Sequence, residues 1–417
     1  MSIIKKVEPV SDKIEITWAE EDDVPLSTYH NIWLRDNCHC SQCYYPLTKQ
    51  RLLNSATIDL GIKAKSINHD GNTVTIIWDN GTGNGNGADA DADAEHESQF
   101  DAHWLKIHSY NPRLIPLDEK LHGAKTKLAQ HLWQVKDIES NLPRVDYTTV
   151  MNSSDETDQE QAIKDWSLKL WQYGFCLIDN VPVTPEDTEQ LCQQLNYIRP
   201  THYGGFWDFT SDLAKADTAY TNFDISNHTD GTYWSNSPGL QLFHLLYHDG
   251  TGGTTSLVDA FKCAEIMRDK FPQSFEVFTR IRVPAHSAGE EKVCIQPDTP
   301  QPIFKLDNND DKSSKIIQVR WNQSDRSTMD SWDDPDDVVK FYQAIKDWVS
   351  IITDPENELW YQMRPGQCLI FDNWRVLHSR SEFTGKRRLC GAYLERDDFV
   401  SRLKLLTLGR DAVLDAI

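Results

Sequence analysis

No stretch of the chain comes near the roughly 18 consecutive apolar residues that a membrane span requires. Positive charge is also scarce, with 42 Lys and Arg against 64 Asp and Glu and a net charge of −22. That balance argues against nucleic acid or an anionic membrane as a partner and favours small cations. The opening residues, Met1-Ser2-Ile3-Ile4-Lys5-Lys6-Val7-Glu8, form neither a secretory signal nor an Arg-rich transit peptide. Leu414-Asp415-Ala416-Ile417 carries no recognisable address, so a cytoplasmic location is expected. A disulfide framework is missing too. Nine Cys is an odd number in a long chain without a secretory signal. Cys176, Cys192, Cys263, Cys294, Cys368 and Cys390 are scattered among apolar neighbours and read as small core residues. No internal repeat is present.

What is there suits a large, mainly β protein. At 417 residues, with 39% hydrophobic and 10% aromatic content, the chain can bury a substantial core and is expected to form two domains. Its fourteen Trp suit β-structure and cation-binding pockets. Residues 1–110 read as a small β-rich domain, with half-buried alternation over 13–18 and 73–78. Within it, 80–95 runs through Gly-Asn and Ala-Asp repetition too polar to pack, and is expected to be a mobile loop. Residues 111–145 read as a connector and 146–417 as the larger domain. There a helix is expected over 159–173, followed by a buried strand over 175–178. Thr184-Pro185-Glu186-Asp187 opens the next helix with a capping hydroxyl, Pro at the first position and an acid near the amino end. Further strands are expected over 240–247, 255–258, 316–321, 368–371 and 389–394. Asp259 should cap a helix that Pro272 ends, and Asp334-Pro335 should open one running to Ile352. Many separated strands with helices inserted between them suit a double-stranded β-helix, the jelly roll.

Two constellations carry chemistry. His228-Thr229-Asp230 puts two ligand-type side chains two residues apart, which on an extended strand would share one face. His378 follows an apolar strand far downstream, and Arg387 opens the next one. Two imidazoles and one carboxylate on one side of a metal leave the other side open, as in non-haem Fe(II) oxygenases. A guanidinium beside them could form a bidentate pair with a dicarboxylate. Separately, Cys38-x-Cys40-x-x-Cys43 supplies three thiolates, a zinc pattern that needs a fourth ligand from the same domain. His39, His69, His96 and His103 are the candidates.

The motif Asp372-Asn373-Trp374-Arg375-Val376-Leu377-His378, with Phe383-Thr384-Gly385 and Leu389-Cys390-Gly391, resembles the 2-oxoglutarate-dependent dioxygenases of carnitine biosynthesis. These are the trimethyllysine and γ-butyrobetaine dioxygenases. Asp217-Thr218-Ala219-Tyr220-Thr221 and Gly250-Thr251-Gly252-Gly253 carry the same resemblance, which covers nearly the full length. It implies that His228, Asp230 and His378 bind Fe(II), that Arg387 holds the distal carboxylate of 2-oxoglutarate, and that Thr255 assists it. It also implies a cage of Tyr203, Trp207, Tyr220 and Tyr393 around a quaternary ammonium, which is held by aromatic faces because it donates no hydrogen bond. Asp217 would then pair with the α-ammonium that trimethyllysine has and γ-butyrobetaine lacks. Asn322 would take the substrate carboxylate, although Gln323 stands where the family has a second Asn. The resemblance names His96 as the fourth zinc ligand, which makes the zinc structural.

The expected activity is C3-hydroxylation of free N6,N6,N6-trimethyllysine, coupled to decarboxylation of 2-oxoglutarate, with ascorbate keeping iron ferrous. The family suggests a homodimer. The intact Cys cluster is closer to the γ-butyrobetaine enzymes than to animal trimethyllysine enzymes, which keeps γ-butyrobetaine hydroxylation as the alternative. A non-catalytic reader of methylated lysine is the rival from another class, and it would need neither the triad nor Arg387.

Overall fold

The computed structural model describes residues 3–19, 26–79, 95–116, 120, 128–151, 155–210, 221–308 and 310–417. Most of the expected 80–95 loop, together with Asp217 and Tyr220, lies outside them. The chain forms two compact units, one from 1–127 with 408–417 and the other from 128–407. Among the described residues no helix is long and apolar enough to cross a membrane.

The smaller unit holds two three-stranded antiparallel sheets. One runs Ile4–Val10, Lys13–Trp18, Ser27–His30; the other runs Lys63–His69, Thr73–Asp79, His96–Asp101. The alternation read over 13–18 and 73–78 is seen directly, with every second residue buried. Ile14, Ile16, Trp18, Val74, Ile76 and Trp78 thereby join one core with Tyr29 and Leu105. Each indole keeps its N–H satisfied, Trp18 by Ser27 Oγ at 2.9 Å and Trp78 by Ser98 Oγ at 2.8 Å.

The larger unit is built on two sheets. A six-stranded sheet has the order Phe206–Thr210, Arg387–Leu394, Leu240–His248, Gln367–Asp372, Phe175–Asp179, Arg144–Asp146. A four-stranded sheet has the order Ile225–His228, Val376–Arg380, Thr255–Asp259, Leu359–Tyr361. Helices Ala260–Lys270, Pro272–Arg280 and Asp337–Ile352 pack Met267, Phe275, Phe278, Phe341 and Trp348 into one apolar core. Two expectations shift. Pro272 does not simply end a helix; it sits in the first turn of the next, where its missing N–H costs nothing. The helix expected to open at Asp334-Pro335 begins at Asp337.

A buried ion pair ties these parts together. Arg375 Nη2 lies 2.8 Å and Nε 3.1 Å from the Asp259 carboxylate, and neither side chain is exposed. The remaining guanidinium protons go to the carbonyls of His131, Trp171 and Gln172. Asp259 also accepts the backbone N–H groups of Trp133, Phe261 and Lys262. Charges taken fully from water are tolerable only when every polar atom is used in this way. Asp259→Asn should therefore lower the stability of the chain by about 3–5 kcal/mol, read from urea unfolding followed by tryptophan fluorescence. A loss below about 1 kcal/mol would mean the pair is dispensable.

Candidate active site

Strand Ile225–His228 pairs antiparallel with Val376–Arg380, and His228 stands directly across from His378. Their ring centroids are 4.2 Å apart. Asp230 arrives differently from the expectation that strand alternation would bring it beside His228. The strand ends at His228, and Thr229 turns away to pair with Trp321, donating its N–H to the Trp321 carbonyl at 2.7 Å. Asn373 then sets the place of Asp230. Its side-chain oxygen accepts the Asp230 N–H at 2.8 Å, and its amide donates to the carbonyls of Asp230 and Pro238, both at 3.0 Å.

The result is a converged triad. Asp230 Oδ1 lies 3.1 Å from His228 Nε2 and 3.8 Å from His378 Nε2. Donors about 2.1 Å from one octahedral metal, at right angles, are about 3 Å apart, so the set fits an ion with a small adjustment. His228 Nδ1 lies 2.8 Å from the Ser226 carbonyl, which can only accept. Nδ1 therefore carries a proton, which leaves Nε2 as the atom turned toward Asp230 and the one that would face a metal. Burial, and then the charge of His228, pushes His378 down to about 3, leaving a neutral imidazole. Burial alone would raise the Asp230 carboxyl, but hydrogen bonding to His228 and the charge of both imidazoles hold it well below the usual range. Asp230 is thus an ionised carboxylate beside a neutral His378, while for His228 burial is outweighed by the hydrogen bond to Asp230 and its charge, which hold that imidazole above its ordinary value.

These residues open into a cavity of about 320 Å³. Tyr203, Trp207, Thr255, Asn322, Arg387 and Tyr393, all expected from sequence, line it with the triad. The sequence did not point to Tyr233, Asp325 and Arg380, which line it as well. Arg387 is buried, and desolvation followed by the charge of Arg380 pulls it down to about 9, still cationic at neutral pH. Two guanidiniums held out of water around one cavity are suited to an anion. Gly253, at φ +64°, backs Arg387: a Cβ there would come within 3.3 Å of Arg387 Nε, and only Gly takes that conformation freely.

The aromatic wall is equally specific. Trp207 and Tyr393 meet edge to face at 5.9 Å, and Tyr203 and Tyr233 share a hydroxyl contact at 3.2 Å. Gly391, directly across the ladder from Trp207, leaves room for its indole, since a Cβ would sit 2.7 Å from Trp207 Cζ3. Tyr393 does more than present a ring. Its hydroxyl donates to Asp230 Oδ2 at 2.7 Å, leaving Oδ1 turned toward the imidazoles.

A second cluster lies in the smaller unit. His96 Nε2 is 3.3, 3.7 and 3.5 Å from the sulfurs of Cys38, Cys40 and Cys43. Tetrahedral zinc with bonds of about 2.3 Å to sulfur and 2.0–2.1 Å to nitrogen places such atoms about 3.5 Å apart. The donor set fits. Among the described residues His39, His69 and His103 are not part of it. Burial, and then Arg35, keeps His96 below its ordinary value and hence neutral.

The model of the taurine catabolism dioxygenase TauD, TfdA family matches residues 134–393, and a γ-butyrobetaine hydroxylase-like amino-terminal model matches 5–86. The chain is 63% identical to a trimethyllysine dioxygenase of Meyerozyma guilliermondii, over 97% of this chain and 96% of that protein. The chain belongs to the trimethyllysine dioxygenase family. A mitochondrial trimethyllysine dioxygenase of Mus musculus is 34% identical over 95% of this chain and 89% of its own length. A γ-butyrobetaine dioxygenase of Pongo abelii is more distant, at 28% over 94% of each.

Within this dioxygenase family member, the Tyr393 hydroxyl is expected to orient the metal-facing carboxylate. Tyr393→Phe should weaken Mn(II) binding about 10-fold, as loss of a hydrogen bond to a ligand commonly does, when titrated by electron paramagnetic resonance. Unchanged affinity would mean that the hydroxyl does not hold Asp230.

Proposed function

We propose that this dioxygenase hydroxylates free N6,N6,N6-trimethyllysine at C3. Trimethyllysine, 2-oxoglutarate and O₂ would give 3-hydroxytrimethyllysine, succinate and CO₂, with one oxygen atom entering each organic product. The observation that carries the reading is the meeting of an ionised carboxylate, two imidazoles, a buried guanidinium and an aromatic wall in one cavity. The names of the relatives support the substrate.

In this reading His228, Asp230 and His378 hold Fe(II), and the ion supplies the oxygen activation and the open positions for a chelating co-substrate. Arg387, on the six-stranded sheet, takes the distal carboxylate of 2-oxoglutarate, and Thr255, on the four-stranded sheet, assists it from across the cavity. Tyr203, Trp207 and Tyr393, with Tyr220 from outside the described residues, cage the trimethylammonium, each face contributing about 0.5–2 kcal/mol. Asn322 holds the substrate carboxylate, and Asp217 keeps its expected role at the α-ammonium. The distance from cage to triad then selects which carbon is presented. A near-attack arrangement of this kind is a matter of positioning, so small displacements of the wall cost rate.

We read the six- and four-stranded sheets as the two sheets of a jelly roll, with the triad on its four-stranded side. We also read Cys38, Cys40, Cys43 and His96 as a structural zinc site, since four protein ligands fill the tetrahedron. Ascorbate as reductant, a homodimer and a cytoplasmic location are retained from the sequence reading as proposals.

A turnover assay that counts succinate, run side by side with trimethyllysine and γ-butyrobetaine, tests the substrate. We expect at least a 10-fold higher kcat/KM for trimethyllysine, about 1.4 kcal/mol of discrimination. A preference for γ-butyrobetaine would transfer the protein to the last step of the same chemistry.

A further inference from the structure

One carboxylate on the cavity wall belongs to neither metal cluster. Asp325 lines the cavity and sits on the same tight turn as Asn322. The turn is fixed by Asn322 itself, whose side-chain oxygen accepts the backbone N–H groups of Ser324 at 2.9 Å and Asp325 at 3.4 Å. With its oxygen engaged inward, the Asn322 amide offers its N–H groups elsewhere. Asp325 is anchored from two sides. Its Oδ2 accepts the Thr232 hydroxyl at 3.1 Å, and its carbonyl accepts the His286 N–H at 2.9 Å. It lines the same cavity as His228, Asp230 and His378.

We propose that Asp325 is a specificity-determining residue, whose carboxylate pairs with the α-ammonium of an amino-acid substrate while Asn322 donates to the adjacent α-carboxylate. The inference rests on the trimethyllysine reading and deepens it. An α-amino acid presents a cation and an anion on one carbon, and a turn that presents a carboxylate beside an amide donor is its complement. An ammonium has three N–H donors, so Asp325 can share it with a second carboxylate such as Asp217. A betaine without the α-ammonium leaves the Asp325 charge facing the substrate carboxylate, which is repulsive. Discrimination then comes from an unfavourable arrangement with the wrong ligand as much as from a favourable one with the right ligand.

The test compares trimethyllysine with 6-(trimethylammonio)hexanoate, which has the same chain and lacks only the α-ammonium. In Asp325→Asn the ratio of kcat/KM for trimethyllysine to that for the analogue should fall about 10- to 100-fold, the effect of losing a hydrogen-bonded charge partner. An unchanged ratio, whether both rates fall together or neither falls, would overturn the proposal and leave Asp325 a merely structural residue. Should Asp325→Asn not yield folded protein, Thr232→Val frees the carboxylate without removing it. The ratio should then fall about 3- to 10-fold, and a parallel loss on both substrates again overturns the assignment. If the unaltered protein releases no succinate with trimethyllysine, the substrate reading itself has failed and the inference falls with it. If it does release succinate and the ratio holds, only the role of Asp325 is lost.

Discussion

The register between Ile225–His228 and Val376–Arg380 is the constraint on which the site depends. Side chains alternate across a sheet with a period of two, so a slip of one residue would turn His378 to the opposite face. With the observed pairing, His228 faces His378, and the next strand brings Leu257 opposite His378 and Thr255 opposite Arg380. One ladder therefore sets both imidazoles and the flank where a dicarboxylate would lie. The turn before His378 reinforces it from two directions. Asn373 grips the backbone of Asp230, and Arg375 locks the same turn to Asp259 at the end of strand Thr255–Asp259. The carboxylate of the triad is thus placed by a side chain on the turn that leads into its histidine partner.

The protein carries a strongly negative surplus yet buries several cations around this cavity. Arg320 donates to the carbonyls of Thr232 and Trp234, and Arg380 to those of Thr221 and Phe223. These guanidiniums staple the irregular segments on either side of strand Ile225–His228, where no ladder is available to hold the backbone. Burial pulls both down to about 10, which still leaves them charged at neutral pH. Arg380 and Arg387 make one part of the cavity hospitable to an anion, while Tyr203, Trp207, Tyr233 and Tyr393 make the opposite demand for a cation. A substrate and co-substrate of opposite character can be held together only where both environments meet.

Much of this was legible in the sequence, for identifiable reasons. Alternation exposed the strands of the smaller unit because each has one wet face, and the buried run 175–178 stood out by its continuous apolar character. The His-x-Asp spacing marks the triad, but strand alternation does not produce it, because the strand ends at His228. Asp230 is set by long-range hydrogen bonds with Asn373, given by its N–H and received at its carbonyl, and no local pattern encodes such bonds. Tyr233 and Asp325 escaped notice because their importance comes from which way a loop turns. A signal for Tyr233 did exist in its closeness to His228-Thr229-Asp230 along the chain. Spacing alone does not separate His96 from its competitors beside the cysteines, because four strands and a polar insertion lie between Cys43 and His96 in the chain.

In the proposed function the paired histidines, Asp230 and Arg387 form one site for iron and 2-oxoglutarate. Anaerobic addition of Fe(II) and 2-oxoglutarate, followed by visible absorption, tests it most directly. A metal-to-ligand charge-transfer band is expected with one equivalent of each, absent in His378→Ala and needing at least 10-fold more 2-oxoglutarate in Arg387→Ala. No band in the unaltered protein, or a band indifferent to both substitutions, would contradict it.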